Sequence, residues 1–189
     1  MNITEQKYTL KKLKSEYIAG KKFNYVFFWG HHPSPNGVIT KSCFSQWFKS
    51  SFEYEGRTYC CMEQFMMAHK AILFKDEKTL DEIMKTFDPA QIKSLGRKVK
   101  NFDEKLWDEY KFSIVYTGNL AKFSQNPDLK SFLLGTKDKV LAEASPYDGI
   151  WGIKMSADDE NAEKPVKWRG TNLLGFALMQ VRDELSKEM

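Results

Sequence analysis

The sequence predicts a mainly α-helical α+β domain with a small sheet of short antiparallel strands. Three observations point there. Helix start and stop signals follow one another from Asp76 onward, and the apolar residues between them recur at helical spacing. The few β-like runs do not alternate with helices, which argues against a doubly wound parallel sheet. A chain of 189 residues suffices for one domain with a sizeable core.

The elements can be justified in order. Residues 1–22 form a basic arm, with Lys7, Lys11, Lys12, Lys14, Lys21 and Lys22 against Glu5 and Glu16. The whole chain carries a formal charge of +4, so the body that follows is balanced. Such an arm reads as a solvated, partly disordered terminus, or more sharply as a device that attracts phosphate-rich partners. Residues 23–189 read as a single domain. Phe23-Asn-Tyr-Val-Phe-Phe-Trp29 is a short apolar run, as in a buried strand, and residues 30–37 are a loop dense in Gly and Pro. Residues 51–54 and 57–59 flank Glu55-Gly56 as a hairpin. A helix over residues 60–74 follows, almost wholly apolar.

Asp76 caps a helix whose Leu80, Ile83, Met84 and Phe87 fall at helical spacing. Asp88-Pro89 opens another that closes at Gly96, and Asp103 opens a long one toward Phe123, with Gly118 as a possible break. Asn126-Pro127 repeats the cap-proline signature, and Gly135 ends that helix. Residues 139–144 read as a strand, 145–152 as a loop and 157–164 as a polar surface excursion. A last helix starts at Thr171 or Asn172 and buries Leu174, Leu178 and Val181.

Several classes are excluded. No apolar run approaches the roughly 20 residues of a membrane span, and the first residues lack the apolar stretch of a signal peptide. The three cysteines show no C-x-x-C spacing, which suits reduced thiols in a cytoplasmic protein. His31-His32 lacks further spaced ligands, so no metal is expected, and neither a dinucleotide fingerprint nor a P-loop is present to hold a cofactor.

Three segments carry candidate chemistry. In the apolar helix, Glu63 and Lys70 fall about 20° apart on a helical wheel and roughly 10 Å apart along the axis. That is too far for an ion pair but suits two ends of one polar ligand. Glu63 also lies in the first turn, where a carboxylate answers the helix dipole; burial would raise its pKa and the dipole would lower it. Asp148 and Trp151 stand in a loop ending at Gly152, where the indole could stack a planar ring and Asp148 could equally form the turn. Gly175 permits close backbone approach, and the Thr171-Asn172 helix start offers free N–H groups to an anion.

Taken together, Cys61-Met-Glu-Gln-Phe-Met-Met-Ala-His-Lys70, Ser94-Leu-Gly-Arg97, Trp107, Lys122-Phe-Ser-Gln-Asn126, Leu133-Leu-Gly-Thr136, Glu143-Ala-Ser with Asp148 and Trp151-Gly152, and Trp168-Arg-Gly-Thr-Asn-Leu-Leu-Gly175 with Arg182 occur in an order that resembles the NADAR family. The resemblance covers residues 23–185. It implies a compact, mainly helical fold with a small sheet, and hydrolysis of a ribose C1′–N bond. Two substrate classes are implied: ribosylamino-pyrimidine phosphates of riboflavin synthesis, and ADP-ribose attached to guanine in nucleic acid. The family's active-site acid maps onto Glu63, an aromatic onto Trp107, and a second carboxylate and aromatic onto Asp148 and Trp151. On this reading Asp148 orients water or ribose hydroxyls, the two indoles wall the ring, and Lys70, Lys122 and the Thr171-Asn172 helix start take phosphate. Gly152 and Gly175 belong to the same substrate-binding set. The alternative is a non-catalytic ADP-ribose or nucleotide-binding module with the same walls and no carboxylate chemistry.

Overall fold

The computed structural model describes residues 3–187. Seven α-helices and four short strands account for the regular structure of these residues. They run α1 (Leu10–Ile18), β1 (Tyr25–Phe28), a 3-10 turn (Lys41–Phe44), β2 (Phe52–Tyr54), β3 (Arg57–Tyr59), α2 (Met62–Leu73), α3 (Glu77–Met84), α4 (Pro89–Gly96), α5 (Glu104–Gln125), α6 (Pro127–Leu134), β4 (Val140–Glu143), a second 3-10 turn (Pro165–Lys167) and α7 (Leu173–Ser186). Among the described residues no helix is long and apolar enough to cross a membrane.

The caps act where the sequence places them. Asp76, Asp88 and Asp103 each accept a hydrogen bond from the backbone N–H three residues on, satisfying a donor that a helix start leaves free. Asp76 also takes the Lys100 N–H with its second oxygen, so one carboxylate starts α3 and ties down the approach to α5. Asn126 behaves differently. Proline at the first position does start α6 there, but the Asn126 amide donates back to the Lys122 carbonyl at the end of α5.

The strands form two separate pairs rather than one antiparallel sheet. β2 and β3 make the expected antiparallel hairpin, turned by Glu55 and Gly56 at positive φ. β1 and β4 pair in parallel, Tyr25 opposite Val140 and Phe28 opposite Glu143. More than a hundred residues separate them, and a parallel pair needs such a crossover. Their near-continuous apolar runs also fit a parallel pair buried by helices.

α2 is the central helix. Met62, Phe65 and Ala68 are fully buried in it, against α3, α4 and α5. Gly118 does not break α5. A Cβ there would lie 2.5 Å from the Phe65 ring, so glycine allows α2 and α5 to meet. Gly175 does the same for α7 on β4, where a Cβ would stand 2.1 Å from the Leu141 carbonyl oxygen.

From Ile3 onward the basic arm is ordered and packed, not a loose terminus. Thr9 caps α1, Leu13 is buried, the Thr4 N–H donates to Ser113, and the Tyr8 hydroxyl donates to Asp183 on α7. Its lysines remain on the surface, apart from half-buried Lys14.

Candidate active site

A cavity of about 180 Å³ opens where the N-terminus of α2, the end of β4, the loop after it and helices α4 and α5 converge. Glu63 sits at its base. The residue is only 2% exposed, and its backbone N–H donates to the Gln46 carbonyl at 2.8 Å. One carboxylate oxygen accepts from the Trp47 indole N–H at 3.2 Å; the other, also buried, has no partner. Burial pushes its pKa up to about 7, with Lys93 and the Trp47 hydrogen bond opposing the rise and Cys61 and Asp148 adding to it. Of the two opposed influences on this first-turn carboxylate, desolvation wins over the helix terminus.

A second carboxyl, that of half-buried Glu143, enters the cavity from the C-terminal end of β4. Its pKa is pushed up to about 8, mainly by burial, then by Asp148 and Glu63, with Lys93 opposing. One of its oxygens is also buried without a partner. Asn172 holds the strand in place: its side-chain oxygen accepts from the Glu143 N–H and its amide donates to the Leu141 carbonyl, a reach made possible by a left-handed backbone at φ 56°.

Asp148 lines the same cavity. One of its oxygens forms the turn, accepting from the Ile150 N–H at 2.8 Å and the Trp151 N–H at 2.7 Å. The other is left for a ligand. Half-buried Trp107 and Trp151 supply apolar walls. Lys70 lines the cavity too, donating one hydrogen bond to the Gly96 carbonyl and lying over the Phe102 ring at 4.2 Å. Lys93 and Arg97, one turn apart on and just after α4, complete the cationic side.

Glu63, Lys70, Trp107, Asp148 and Trp151 therefore meet in one cavity, as their order in the chain suggested. Five other expected substrate contacts lie outside it. Lys122 is wholly buried and donates to the Cys43 and Ser45 carbonyls at 2.6 and 3.4 Å, so its ammonium is bound by backbone rather than available to phosphate. Thr171 and Asn172 begin α7, but the N–H groups expected to meet an anion are already taken. Those of residues 171–174 donate to the carbonyls of Gly149, Gly152, Ile150 and Trp151 respectively. Gly152 and Gly175 serve close packing, Gly152 with a Cβ position 2.7 Å from the Glu143 carbonyl oxygen.

Glu143, Gln46, Trp47 and Lys93 were assigned no role from sequence, although Glu143 stands in one of the quoted motifs. Glu143 had a usable signal, an acid at the end of an apolar strand just before a loop. Gln46, Trp47 and Lys93 carry no local pattern that assigns them a role, because each reaches the cavity only through tertiary packing.

Three of the six buried side-chain oxygens without a hydrogen-bond partner among the described residues belong to residues that line this one cavity: Gln46, Glu63 and Glu143. Unpaired buried polar atoms are rare and costly, so their convergence marks a place built for a ligand. A larger cleft, about 580 Å³, lies between the arm and α7. It is walled partly by paired charges, Lys7 with Asp183 and Lys21 with Glu16, and contains none of those unpartnered atoms. The smaller cavity is therefore the candidate site. Among the described residues no group of three or more His, Cys, Asp or Glu side chains is arranged to hold a metal ion.

Comparison with known proteins identifies the family. The family model described as the NADAR domain matches residues 27–186. The chain is 48% identical over 165 residues to "N-glycosidase R617" of Acanthamoeba polyphaga mimivirus, covering 85% of this chain and 95% of that one. It is 30% identical over 143 residues to "N-glycosidase Npun_R5314" of Nostoc punctiforme, covering 76% and 85%. The NMR structure of the Escherichia coli protein YbiA superposes with a TM-score of 0.71 at 25% identity, over 89% of this chain and 88% of that one. The chain belongs to the NADAR domain family.

Proposed function

We infer that this chain is an N-glycosidase that hydrolyses the bond between ribose C1′ and a base nitrogen. The observation that carries the reading is the pair of carboxyls, those of buried Glu63 and half-buried Glu143, that line one cavity, each with one buried oxygen that has no partner. The relatives named as N-glycosidases support it.

The chemistry follows from the two environments. Breaking C1′–N leaves the electron pair on nitrogen and a positive charge on the sugar. Glu143, with the higher pKa, is the group that retains a proton near neutrality and delivers it to the departing nitrogen. Glu63, steadied by the Trp47 N–H, faces the developing cation as a carboxylate. Water then bonds to C1′ and yields a proton to a carboxylate, with the free oxygen of Asp148 as its guide. Trp107 and Trp151 flank the ring. Lys70, Lys93 and Arg97 meet phosphate, replacing the role expected of Lys122 and the α7 start.

Two substrate classes are the candidates: a ribosylamino-pyrimidine phosphate of riboflavin synthesis, and ADP-ribose on guanine in nucleic acid. Chromatographic product analysis on both, side by side, decides between them. Release of the free pyrimidine from the first, or of ADP-ribose with an unmodified guanine oligonucleotide from the second, names the class. A folded Glu63→Gln protein that kept full hydrolysis of both would overturn the mechanism.

A further inference from the structure

The third of these unpartnered oxygens belongs to Gln46, and the proposed reaction does not use it. Gln46 is 7% exposed and follows the first 3-10 turn. Its carbonyl accepts the Glu63 N–H, so its backbone is fixed to that of the carboxylate at the heart of the site. Its side-chain oxygen is buried with no hydrogen-bond partner among the described residues.

Other carboxamides in the protein show what a structural amide looks like here. Gln64, equally buried, accepts from the Cys60 N–H and donates to the Ile83 and Thr86 carbonyls. Gln125 pairs both ends with the Glu53 backbone. Asn172 pairs both ends with β4. Gln180 accepts from the Lys7 N–H and donates to the Glu5 carbonyl. Asn119 also leaves its oxygen without a partner, although its amide donates to the Val115 carbonyl; of these two, Gln46 is the one that lines the cavity. Leaving such a group unpaired is unfavourable unless a ligand completes it.

We propose that Gln46 reads the edge of the departing base by a paired hydrogen bond, taking a ring N–H and giving an N–H to the adjacent carbonyl. A carboxamide is planar and presents one donor and one acceptor side by side in either orientation. Its complement is a lactam edge, a ring N–H next to C=O. Phosphate lacks a donor and already faces Lys70, Lys93 and Arg97. Bases without a lactam edge, such as adenine, are rejected because the buried amide would stay unpaired. The inference rests on the N-glycosidase reading and adds to it the feature by which the leaving group is selected. Guanine and an aminopyrimidinone both carry that edge.

The test compares wild type with Gln46→Leu, which keeps bulk and removes both polar atoms, and with Gln46→Glu. Each is assayed on the ribosylamino-pyrimidine phosphate, on the ADP-ribosylated guanine oligonucleotide, and on versions methylated at the lactam nitrogen. Wild type is expected to lose about 10²-fold or more in kcat/KM on methylation. Gln46→Leu is expected to lose a similar factor on the unmodified substrate and to treat both versions within a few-fold, with an undiminished melting temperature. Gln46→Glu, which at neutral pH only accepts, is expected to recover little of the loss. Whichever substrate responds identifies the source of the edge. Unchanged kcat/KM and unchanged discrimination in folded Gln46→Leu would overturn the proposal. Calorimetric titration of guanosine monophosphate and its 1-methyl derivative gives a readout without turnover. A wild-type preference for the unmethylated form that Gln46→Leu loses supports the role of Gln46 even if neither substrate is cleaved, an outcome that counts against glycosidase activity alone. Equal binding of both forms by wild type and the variant overturns the role of Gln46.

Discussion

Replacing Glu63 with glutamine is expected to stabilise the protein while abolishing its activity. Burial lifts this carboxyl from an ordinary 4.5 to about 7. A rise of that size corresponds to on the order of 3 kcal/mol of folding stability, at 1.36 kcal/mol per pH unit. The sign follows from proton counting. Below pH 4.5 the carboxyl is protonated in folded and unfolded chains alike, and it contributes no difference. Between 4.5 and about 7 the folded state keeps the proton that the unfolded chain releases, so stability falls as pH rises. Above about 7 the loss is complete and level. Glutamine cannot ionise and can still accept from the Trp47 indole. The advantage of Glu63→Gln should therefore be near zero at pH 4, grow through pH 6 and saturate near 3 kcal/mol above pH 8. Urea denaturation of both proteins across that range measures it. Hydrolysis should fall at least 10²-fold. A variant less stable than wild type at pH 8 would refute the reasoning, because Glu63 would then be a structural carboxylate answering the helix dipole.

Other predictions concern the same cavity and the arm. The pH profile of kcat/KM should be bell-shaped and narrow, rising as Glu63 ionises near 7 and falling as Glu143 loses its proton near 8; Glu143→Gln should lose the alkaline descent along with about 10²–10⁴-fold in rate. Trp47→Phe removes a hydrogen bond that favours ionised Glu63, so the acid limb should move to higher pH by up to about one unit. Lys93→Met should raise KM for a phosphorylated substrate by roughly tenfold or more, whereas Lys122→Met, outside the cavity, should leave KM unchanged in the folded fraction. Deleting residues 1–22 should cost ~2 kcal/mol or more in denaturant unfolding through loss of buried Leu13 alone; an unchanged midpoint would return the arm to a solvated tail.

Much of this architecture was legible in the chain because its signals are local. Asp76, Asp88-Pro89 and Asp103 announce helix starts through their own side chains, and the wheel of α2 puts Glu63 and Lys70 on one stripe. The order of Glu63, Trp107, Asp148 and Trp151 located the cavity through a resemblance spanning the domain. What escaped depends on contacts distant in sequence. The parallel pairing of β1 with β4 brings Glu143 to the site, and neither strand alone encodes its partner's direction. Lys122 was misassigned because a lysine in a helix reads as a surface cation, and only packing reveals the carbonyls of the Lys41–Phe44 turn around its ammonium. Asn172 was taken for an ordinary helix start. Its left-handed backbone instead turns the side chain onto β4, where it supports Glu143.

The most direct measurement of the central claim is isotope placement. The protein is incubated in ¹⁸O-water with each of the two candidate N-ribosides, and the products are resolved by mass spectrometry. Hydrolysis at C1′–N predicts one ¹⁸O on the released sugar at C1, before exchange, with an unlabelled pyrimidine or an unlabelled guanine oligonucleotide as the other product, and at least 10²-fold less of both with Glu63→Gln. Label on phosphate, label on the base, or intact substrate with the wild-type protein would contradict a glycosidase built on Glu63 and Glu143.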